Sequence, residues 1–225
     1  MKPWVRLGEG HAPDGTRLAL MRRDQEFVIS ADGRLLMSSR MHGSEEALAT
    51  QGCAHLNAMP RPRVLVGGLG LGYTLRATLD AVSSAATVVV AELVAAVVEW
   101  NRGPLAPLAG APLDDPRVEI RVEDVAATMR TSPRGFDAIL LDVDNGPDAF
   151  TAAENAGLYD TKGIALIVGA LAPGGVVAVW SAWEDRPFAA RLRRAGLTVT
   201  TSRVRARLDR GGSRHVIHLG RAAGR

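Results

Sequence analysis

The chain of 225 residues has little of three things: cysteine, aromatic side chains and long apolar runs. Its single cysteine, Cys53, excludes an internal disulfide, and we expect this thiol to be buried in a helix and unreactive. No apolar run approaches the roughly 20 residues that a membrane helix needs, and the first residues lack the apolar core of a secretory signal. We therefore expect a cytoplasmic protein without a membrane segment.

Two kinds of catalytic motif are also missing from the sequence. No group of His, Cys and acidic residues has the spacing of metal ligands, so we expect no metal. No G-x-S-x-G sequence indicates a nucleophile elbow. The chain therefore carries no signal for metal-dependent or serine-nucleophile hydrolysis.

Acidic residues are nearly absent from the last part of the chain. Residues 186–225 carry eleven arginines and one acid, for a net charge of +10, whereas residues 1–185 have a net charge of −7. Such a segment can attract nucleic acid or another anionic partner. However, the alternation of Arg203, Arg205 and Arg207 is typical of one face of a strand, and no nucleic-acid module accompanies it. We expect a solvated strand face and no nucleic-acid partner.

Apolar runs of strand length alternate with helical stretches from residue 63 onward. Because several runs are apolar on both faces, they predict a parallel sheet that helices cover on both sides. The loop between the last two runs is too short for a helical crossover, so the last strand is predicted to be antiparallel. The predicted fold class is α/β, a Rossmann-like seven-stranded, mostly parallel sheet, with the strands RVLVGG, ATVVVAEL, RVEIRVED, FDAILLDVD, GGVVAVWSA, GLTVTTSRV and RHVIHLG.

The first part of the chain differs from this pattern. Residues 17–38 predict short strands with a turn at Asp32-Gly33, which is a strong hairpin signal. A helix is expected to follow, with Ser44 as its N-cap and acidic residues in its first turn. We therefore predict a small N-terminal β-hairpin domain over residues 1–43 and a Rossmann-like, nucleoside-binding domain over residues 44–225.

A glycine-rich loop follows the first strand of the predicted sheet. Gly68, Gly70 and Gly72 stand between this strand and a helix, where open α/β sheets bind ligands. A missing Cβ lets a ligand press against the backbone, and a helix N-terminus offers unpaired N–H groups. The dinucleotide fingerprint G-x-G-x-x-G needs a further glycine where this chain has Tyr73, so a pyrophosphate cofactor is disfavoured.

Acids follow the next three strands. Glu92 stands at the end of the second strand, where a carboxylate can accept both hydroxyls of a ribose. Asp124 follows the third strand, and its carboxylate can accept an adenine amino hydrogen. Asp142 and Asp144 follow the fourth. Acids at three strand ends beside a glycine loop describe an adenosine site without phosphates, and S-adenosylmethionine is the common cofactor of that kind.

In this order and at these spacings, the motifs resemble those of the spermidine synthase-like family, the polyamine aminopropyltransferases of the class I methyltransferase superfamily. The resemblance extends over most of the chain, through the glycine loop, LDDPRVEIRVEDV, FDAILLDVDNGP and LYDTKGIALIVGALAPGGVVAVW. It implies S-adenosylmethionine or its decarboxylated form as cofactor, a small-molecule amine as acceptor, and a homodimer. It also implies that Glu92 binds the ribose and Asp124 the adenine. Asp142 would receive the attacking amine, with Asp144 competing for that role.

Three positions depart from the family pattern. The family's glycine loop contains an aspartate that grips the amine of decarboxylated S-adenosylmethionine, and Leu71 stands there in this chain. After the fourth strand, the second acid of the family is shifted to Asp144 or replaced by Asn145. The family clasps its polyamine with a tyrosine and an acid, and here Glu45 or Glu46 is available without the tyrosine. The resemblance thus makes Glu45, Glu46 and Asn145 the candidate residues for binding the amine.

Three functions remain open on these residues. The resemblance favours transfer of an aminopropyl-type group to an amine. Methyl transfer from S-adenosylmethionine to a small molecule is the second function, and a non-catalytic module that binds a nucleoside is the third. Three acids directed at one cleft favour an enzyme, because a scaffold gains nothing from them.

The histidines are not expected to contribute to this chemistry, with one exception. His42 precedes the predicted first helix and is the histidine that the order of the motifs brings near the cleft. His55, His215 and His218 are expected to be structural or surface residues.

Overall fold

The computed structural model describes residues 2–142, 157–207 and 212–224. Its first sheet is antiparallel, and the strands lie in sequence order. The predicted hairpin is confirmed: Asp32 and Gly33 have φ angles of 47° and 79°, the two positive values that a type I′ turn requires. The strands of this sheet are β1 (Val5–His11), β2 (Arg17–Arg23), β3 (Glu26–Ala31) and β4 (Arg34–Ser38).

Strand β1 is absent from the sequence-based prediction, because its alternate glycines do not resemble a strand. Gly8 and Gly10 lie against the side chains of Trp100 and Ala96, which belong to a helix farther along the chain. A Cβ on Gly8 would clash with the indole nitrogen of Trp100, and one on Gly10 would clash with the methyl group of Ala96. The glycines therefore allow β1 to pack closely against a helix, which is a tertiary requirement rather than a local one.

The second sheet has seven strands in the order β10-β11-β9-β8-β5-β6-β7. Strand β11 is antiparallel to both of its neighbours, and the pairings among β7, β6, β5, β8 and β9 are parallel. The predicted fold class, including the antiparallel last strand, is therefore confirmed. The strands are β5 (Arg63–Gly67), β6 (Thr87–Ala91), β7 (Val118–Arg121), β8 (Phe136–Leu141), β9 (Leu171–Ser181), β10 (Thr198–Arg205) and β11 (Arg214–Arg221).

Helices cover both faces of this sheet. Along β5, Val64 and Val66 belong to one apolar cluster, whereas Leu65 belongs to a second cluster on the opposite face. This alternation is why the strands are apolar throughout. Leu18 and Ile29 of the first sheet join the first cluster, so the two sheets share a core. The helices are α1 (Gly43–Cys53), α2 (Tyr73–Ala81), α3 (Ala95–Arg102), α4 (Val125–Arg130), α5 (Thr161–Ala170) and α6 (Arg186–Arg194), with 3-10 turns at Ala54–Leu56, Ala106–Ala109 and Pro112–Asp114.

Two local expectations need correction. Ser44 does not cap α1, because the helix begins one residue earlier, at Gly43, and His42 occupies the N-cap position. The hydroxyl of Ser44 is used instead by tertiary contacts described below. In the basic segment, Arg203 and Arg205 are exposed on β10 as predicted, but Arg207 lies beyond the end of the strand and is half-buried.

Cys53 is the last residue of α1 and is fully buried, as expected. Burial raises the pKa of its thiol to about 12, which keeps the sulfur protonated and unreactive near neutral pH. Within the described ranges, no helix is long and apolar enough to cross a membrane.

Candidate active site

A cavity of about 300 Å³ lies between the first sheet and the carboxyl ends of the parallel strands. We call it the central cavity. Its opposite wall is built from the glycine loop and from residues that follow β6, β7, β8 and β9, which is the edge of an open α/β sheet where ligands bind. The apolar wall on the side of the first sheet comprises Leu18, Ile29, Leu36, Met37 and Met41.

The glycine loop lines this cavity with bare backbone. Gly68, Gly70 and Gly72 have φ angles of 89°, 51° and 86°, which other residues rarely adopt. Gly68 and Gly70 line the cavity, whereas Gly72 faces the side chains of Asn101, Ala109 and Pro112 instead. A Cβ on Gly70 would lie 3.1 Å from the sulfur of Met37, so the glycine also lets the first sheet approach. The buried side chain of Asn101, on α3, donates a hydrogen bond of 2.9 Å to the carbonyl of Gly70. The loop is thus held in one shape from outside the cavity.

Glu92 anchors the same loop. Its two carboxylate oxygens accept hydrogen bonds from the backbone N–H groups of Leu69, at 2.8 Å, and Val94, at 2.9 Å. The side chain lines the cavity and is 8% exposed. Each carboxylate oxygen has two lone pairs, so accepting a backbone N–H does not by itself prevent it from accepting a ribose hydroxyl. The ribose-binding role of Glu92 stays a prediction, and the structure adds an anchoring role that the sequence did not indicate.

Asp124 lies at the rim of the cavity. It is exposed and forms the N-cap of α4, accepting a hydrogen bond of 2.6 Å from the backbone N–H of Ala126. Strand β7 ends at Arg121, so three residues bring the carboxylate to this rim. The predicted contact of Asp124 with adenine is compatible with this position and stays a prediction.

Asp142 follows the last residue of β8 and lines the central cavity. Its backbone N–H donates to the carbonyl of Gly67 at 3.0 Å. The hydroxyl of Thr74, in the first turn of α2, donates to its carboxylate at 2.5 Å. These contacts hold the carboxylate beside the glycine loop. The other two candidates of this segment, Asp144 and Asn145, lie outside the described residues.

Glu45 brings a second carboxylate to the cavity from α1. Burial, together with the charge of Asp142, raises the pKa of Glu45 from its ordinary value of 4.5 to about 8. Burial and the neighbouring carboxylate thus favour a protonated Glu45 near neutral pH, and two acids at one cavity favour a bound cation. The pair therefore has the chemistry of an amine-binding and proton-accepting site.

Glu46, the alternative to Glu45, is not among the residues that line the cavity. Consecutive helical residues point about 100° apart, so one of the two acids has to face elsewhere. Glu46 lies 2.7 Å from the Nδ1 atom of His42, whose ring stacks on Tyr73 with the centroids 4.1 Å apart. His42, the histidine expected at the cleft, thus supports the cavity wall without lining it.

His215, expected to be a structural or surface residue, lines the cavity, a position that the sequence did not indicate. Its Nδ1 atom lies 2.9 Å from the hydroxyl of Ser44, and its ring meets the edge of Trp180 at 4.7 Å between centroids. Burial lowers the pKa of His215 and favours the neutral ring. The strand order brings His215 to the cavity, because its strand, β11, lies between β10 and β9. No spacing in the sequence indicates that order.

Tyr73 brings an aromatic side chain to the cavity from α2. It begins α2 directly after the glycine loop, lines the cavity, and donates to the carbonyl of Ser39 at 3.3 Å. Burial raises the pKa of Tyr73 to about 12. A signal for this residue exists in the sequence, since a bulky side chain directly after the loop has to face the site. Among the described residues, no three His, Cys, Asp or Glu side chains are grouped as metal ligands.

Two curated proteins show what the chain is related to, although no protein-family model matches it. The chain is 32% identical over 174 residues to polyamine aminopropyltransferase 2 of Pseudomonas aeruginosa. This alignment covers 74% of the chain and 47% of that protein. It is 31% identical over 166 residues to the polyamine aminopropyltransferase of Mycobacterium tuberculosis, covering 72% of the chain and 30% of that protein. The chain spans less than half the length of these relatives.

Solved structures share its fold. A spermidine synthase in complex with the transition-state analogue AdoDATO matches 96% of the chain and 73% of its own, with a TM-score of 0.75 and 23% identity. The spermidine synthase of Thermotoga maritima matches with a TM-score of 0.73 and 22% identity, over 96% of this chain and 72% of its own. The chain is thus similar in sequence to polyamine aminopropyltransferases and has the fold of the spermidine synthases.

Proposed function

We propose that this chain is a transferase that moves an aminopropyl-type group from decarboxylated S-adenosylmethionine to a small amine. The observation that carries the proposal is that Asp142 and Glu45 meet at a cavity that the glycine loop and Glu92 also line. The names of the curated relatives support the same class of reaction.

The nucleoside would lie along the carboxyl edge of the sheet. Glu92 would accept the ribose hydroxyls, and Asp124 would meet the adenine at the rim. The bare backbone from Gly68 to Gly72 would let the sulfonium approach closely, and Asp142 lies directly beside this loop.

The chemistry needs alignment and one proton acceptor. The amine nitrogen attacks the carbon bound to the sulfonium, a C–N bond forms, the C–S bond breaks, and sulfur keeps the electron pair as it leaves as a neutral thioether. The nitrogen then gives up one proton, which Asp142 or Glu45 accepts. Alignment supplies most of the acceleration, because the sulfonium is already activated, and general-base assistance contributes roughly 10²–10⁴-fold.

The cavity also indicates the kind of acceptor. Two carboxyl groups at one cavity, those of Asp142 and Glu45, would pair with the protonated form of an amine, which has to give up a proton before its nitrogen attacks. The apolar wall formed by side chains such as Met37 and Met41 suits the hydrocarbon part of an alkylamine. We therefore propose a small alkylamine as the acceptor.

Leu71 favours a second candidate function, methyl transfer from full S-adenosylmethionine to a small molecule. Its side chain is 5% exposed and lines the cavity where the resemblance expects an aspartate. An acid there would pair with the amine of the decarboxylated cofactor and would repel the carboxylate of the full one. Leucine removes both effects, so the full cofactor is tolerated.

Mass spectrometry of the nucleoside product separates these functions. With decarboxylated S-adenosylmethionine and a panel of alkylamines, we expect methylthioadenosine and an aminopropylated amine. Asp142→Asn should lower this rate about 100-fold or more, whereas Asp114→Asn, an exposed acid away from the cavity, should not. S-adenosylhomocysteine from the full cofactor would identify methyl transfer instead, and binding without any product would identify a nucleoside-binding module.

The remaining sequence-based expectations belong to this proposal as well. We propose a homodimer, a cytoplasmic location and no nucleic-acid partner. The small domain over residues 1–43 is supported by the separate first sheet, which ends at Ser38, and by the start of α1 at Gly43.

A further inference from the structure

A chain of hydrogen-bonding groups leads from the central cavity to the protein surface. The hydroxyl of Ser44 lies 2.7 Å from a carboxylate oxygen of Glu45 and 2.9 Å from Nδ1 of His215. The other ring nitrogen, Nε2, lies 3.1 Å from the hydroxyl of Ser213. Ser44 is fully buried, whereas Ser213 is exposed in the loop before β11. Every link is within hydrogen-bonding distance.

We propose that Ser44 and His215 form a proton path that carries the proton of the reacting amine from Glu45 to solvent at Ser213. The inference rests on the proposed function, since it deepens the account of where the proton goes. Glu45 is the group that receives the proton from the substrate, and Ser44 and His215 pass it on.

The surroundings of Glu45 explain why such a path is useful. Besides Ser44, the charged and titratable groups near it are Asp142 after β8, Glu46 on α1 and Tyr73 on α2. Burial first, and then the charges of Asp142 and Glu46, disfavour the ionised form of Glu45. A proton taken from the amine is therefore held tightly unless a neighbouring group removes it.

His215 is suited to be that group. The ring is held between Ser44, Ser213 and the edge of Trp180, and burial lowers its pKa. A neutral imidazole has one donor and one acceptor nitrogen, so it can take a proton on one side and release another on the opposite side. The weak basicity of the buried ring means that it does not retain the charge.

The hydrogen bonds along the path can be drawn for the state before the transfer and for the state after it, and the two states differ by one proton. When Glu45 is ionised, Ser44 donates to it, Nδ1–H donates to Ser44, and Nε2 accepts from Ser213. When Glu45 is protonated, it donates to Ser44, Ser44 donates to Nδ1, and Nε2–H donates to Ser213. In passing from the second state to the first, the Glu45 proton moves to Ser44, the Ser44 proton moves to Nδ1, the Nε2 proton moves to Ser213, and Ser213 releases one proton to solvent. When Glu45 takes the next proton from the amine, the second state is restored as the ring proton returns from Nδ1 to Nε2 by exchange with solvent.

These two states give a readout that does not depend on turnover. The tautomer of His215 should switch from Nε2–H below about pH 8 to Nδ1–H above it, following the ionisation of Glu45. Nitrogen-15 NMR of the imidazole side chains of the full chain distinguishes the two tautomers. We expect the switch in the wild type and its loss in both Glu45→Gln and Ser44→Ala. A tautomer that stays the same across this pH range in the wild type would overturn the path.

Turnover provides the second readout. His215→Gln and Ser44→Ala should lower kcat about 10-fold or more, because the path supplies part of the general-base catalysis. Both variants should keep the KM for the amine within about twofold of the wild-type value. Ser44→Thr, which keeps the hydroxyl, should restore most of kcat. The matched control is His55→Gln, because His55 is also half-buried but bonds to the carbonyl of Asp137 away from the cavity.

The two readouts keep this inference separate from the proposed function. An active wild type whose kcat is unaffected by His215→Gln and Ser44→Ala would overturn the path and leave the transferase intact. An inactive wild type that still shows the tautomer switch would support the path as a property of the resting protein and count against the transferase. If His215→Gln does not fold, Ser44→Ala and Ser44→Thr decide the question.

Discussion

At the scale of single residues, the acids of the central cavity differ in how much of their hydrogen-bonding capacity the protein already uses. Both oxygens of Glu92 hold backbone N–H groups, one oxygen of Asp124 caps a helix, and Asp142 accepts from a threonine. An alanine substitution at any of them therefore removes a structural contact together with the predicted ligand contact. Experiments on these residues need a stability measurement beside the binding measurement.

For Glu92 we expect both effects. Glu92→Ala should weaken binding of methylthioadenosine by about 1.5–3 kcal/mol, because hydrogen bonds to a charged group are lost. It should also lower the melting temperature, since the N–H groups of Leu69 and Val94 lose their partner. Calorimetric titration and a thermal melt measure the two. Glu99→Ala, an exposed acid on α3, is the control, and an unchanged affinity in Glu92→Ala would place the ribose elsewhere.

Glu45 couples stability to pH. Its pKa is about 8 in the folded protein against an ordinary value of 4.5, so the folded state binds more protons than the unfolded state between these values. The free energy of unfolding should therefore fall as the pH rises through this window. Urea titrations at about pH 5 and about pH 8.5 should show a smaller fall in Glu45→Gln than in the wild type.

The control for this measurement is Glu46→Gln, which changes the neighbouring acid on α1 that pairs with His42. Its pH dependence should follow the wild type more closely than that of Glu45→Gln does. An identical pH dependence in the wild type and in Glu45→Gln would contradict the buried, protonated carboxyl group.

At the scale of elements, we expect the glycine loop to set which form of the cofactor is preferred. We expect the wild type to discriminate little between S-adenosylmethionine and its decarboxylated form, because Leu71 offers neither attraction to the amine nor repulsion of the carboxylate. Leu71→Asp should shift the ratio of the two affinities toward the decarboxylated form by about 10- to 150-fold, the equivalent of about 1.5–3 kcal/mol.

Leu71→Asn is the matched control for that shift, because it has nearly the same shape as aspartate without the charge. Both variants place a polar group at a buried position, so their melting temperatures should fall alike. Selective, tight binding of the decarboxylated form by the wild type would contradict the role assigned to Leu71 and favour plain aminopropyl transfer.

At the scale of the whole molecule, the cavity joins two sheets that share one core. Residues of the first sheet form its apolar wall, and the carboxyl edge of the second sheet forms its polar wall. A ligand bound between them contacts both. We therefore expect methylthioadenosine or S-adenosylhomocysteine to raise the melting temperature, by an amount that grows with the logarithm of its concentration above Kd.

A thermal melt at several ligand concentrations checks this expectation, with adenosine triphosphate as the control nucleotide, since the loop disfavours phosphates. An unchanged melting temperature at millimolar methylthioadenosine and S-adenosylhomocysteine would exclude the adenosine site. A shift with adenosine triphosphate alone would show that the spacing of the glycines does not discriminate as proposed.

Much of the fold follows from local patterns in the sequence. Apolar runs such as the one around Leu65 predict buried strands, because both faces of a covered parallel sheet are apolar. Asp32-Gly33 predicts its hairpin because a type I′ turn needs positive φ angles at two successive residues, and the loop from Gly68 to Gly72 predicts a close backbone approach for the same kind of reason. Each of these features depends on a few neighbouring residues, and the sequence alone is therefore enough to predict it.

The site depends on contacts between residues far apart in the chain. Ser44 and His215 are 171 residues apart, and they meet because β11 pairs with β9 rather than following β10 at the edge of the sheet. The choice of Glu45 over Glu46 likewise follows from the direction from which α1 meets the sheet. The sequence by itself determined the strands of the second sheet, the hairpin turn and the glycine loop, since each is encoded by local geometry. Only the tertiary structure decided which carboxylate and which histidine face the cavity, because strand order and helix rotation are set by the packing of the whole core.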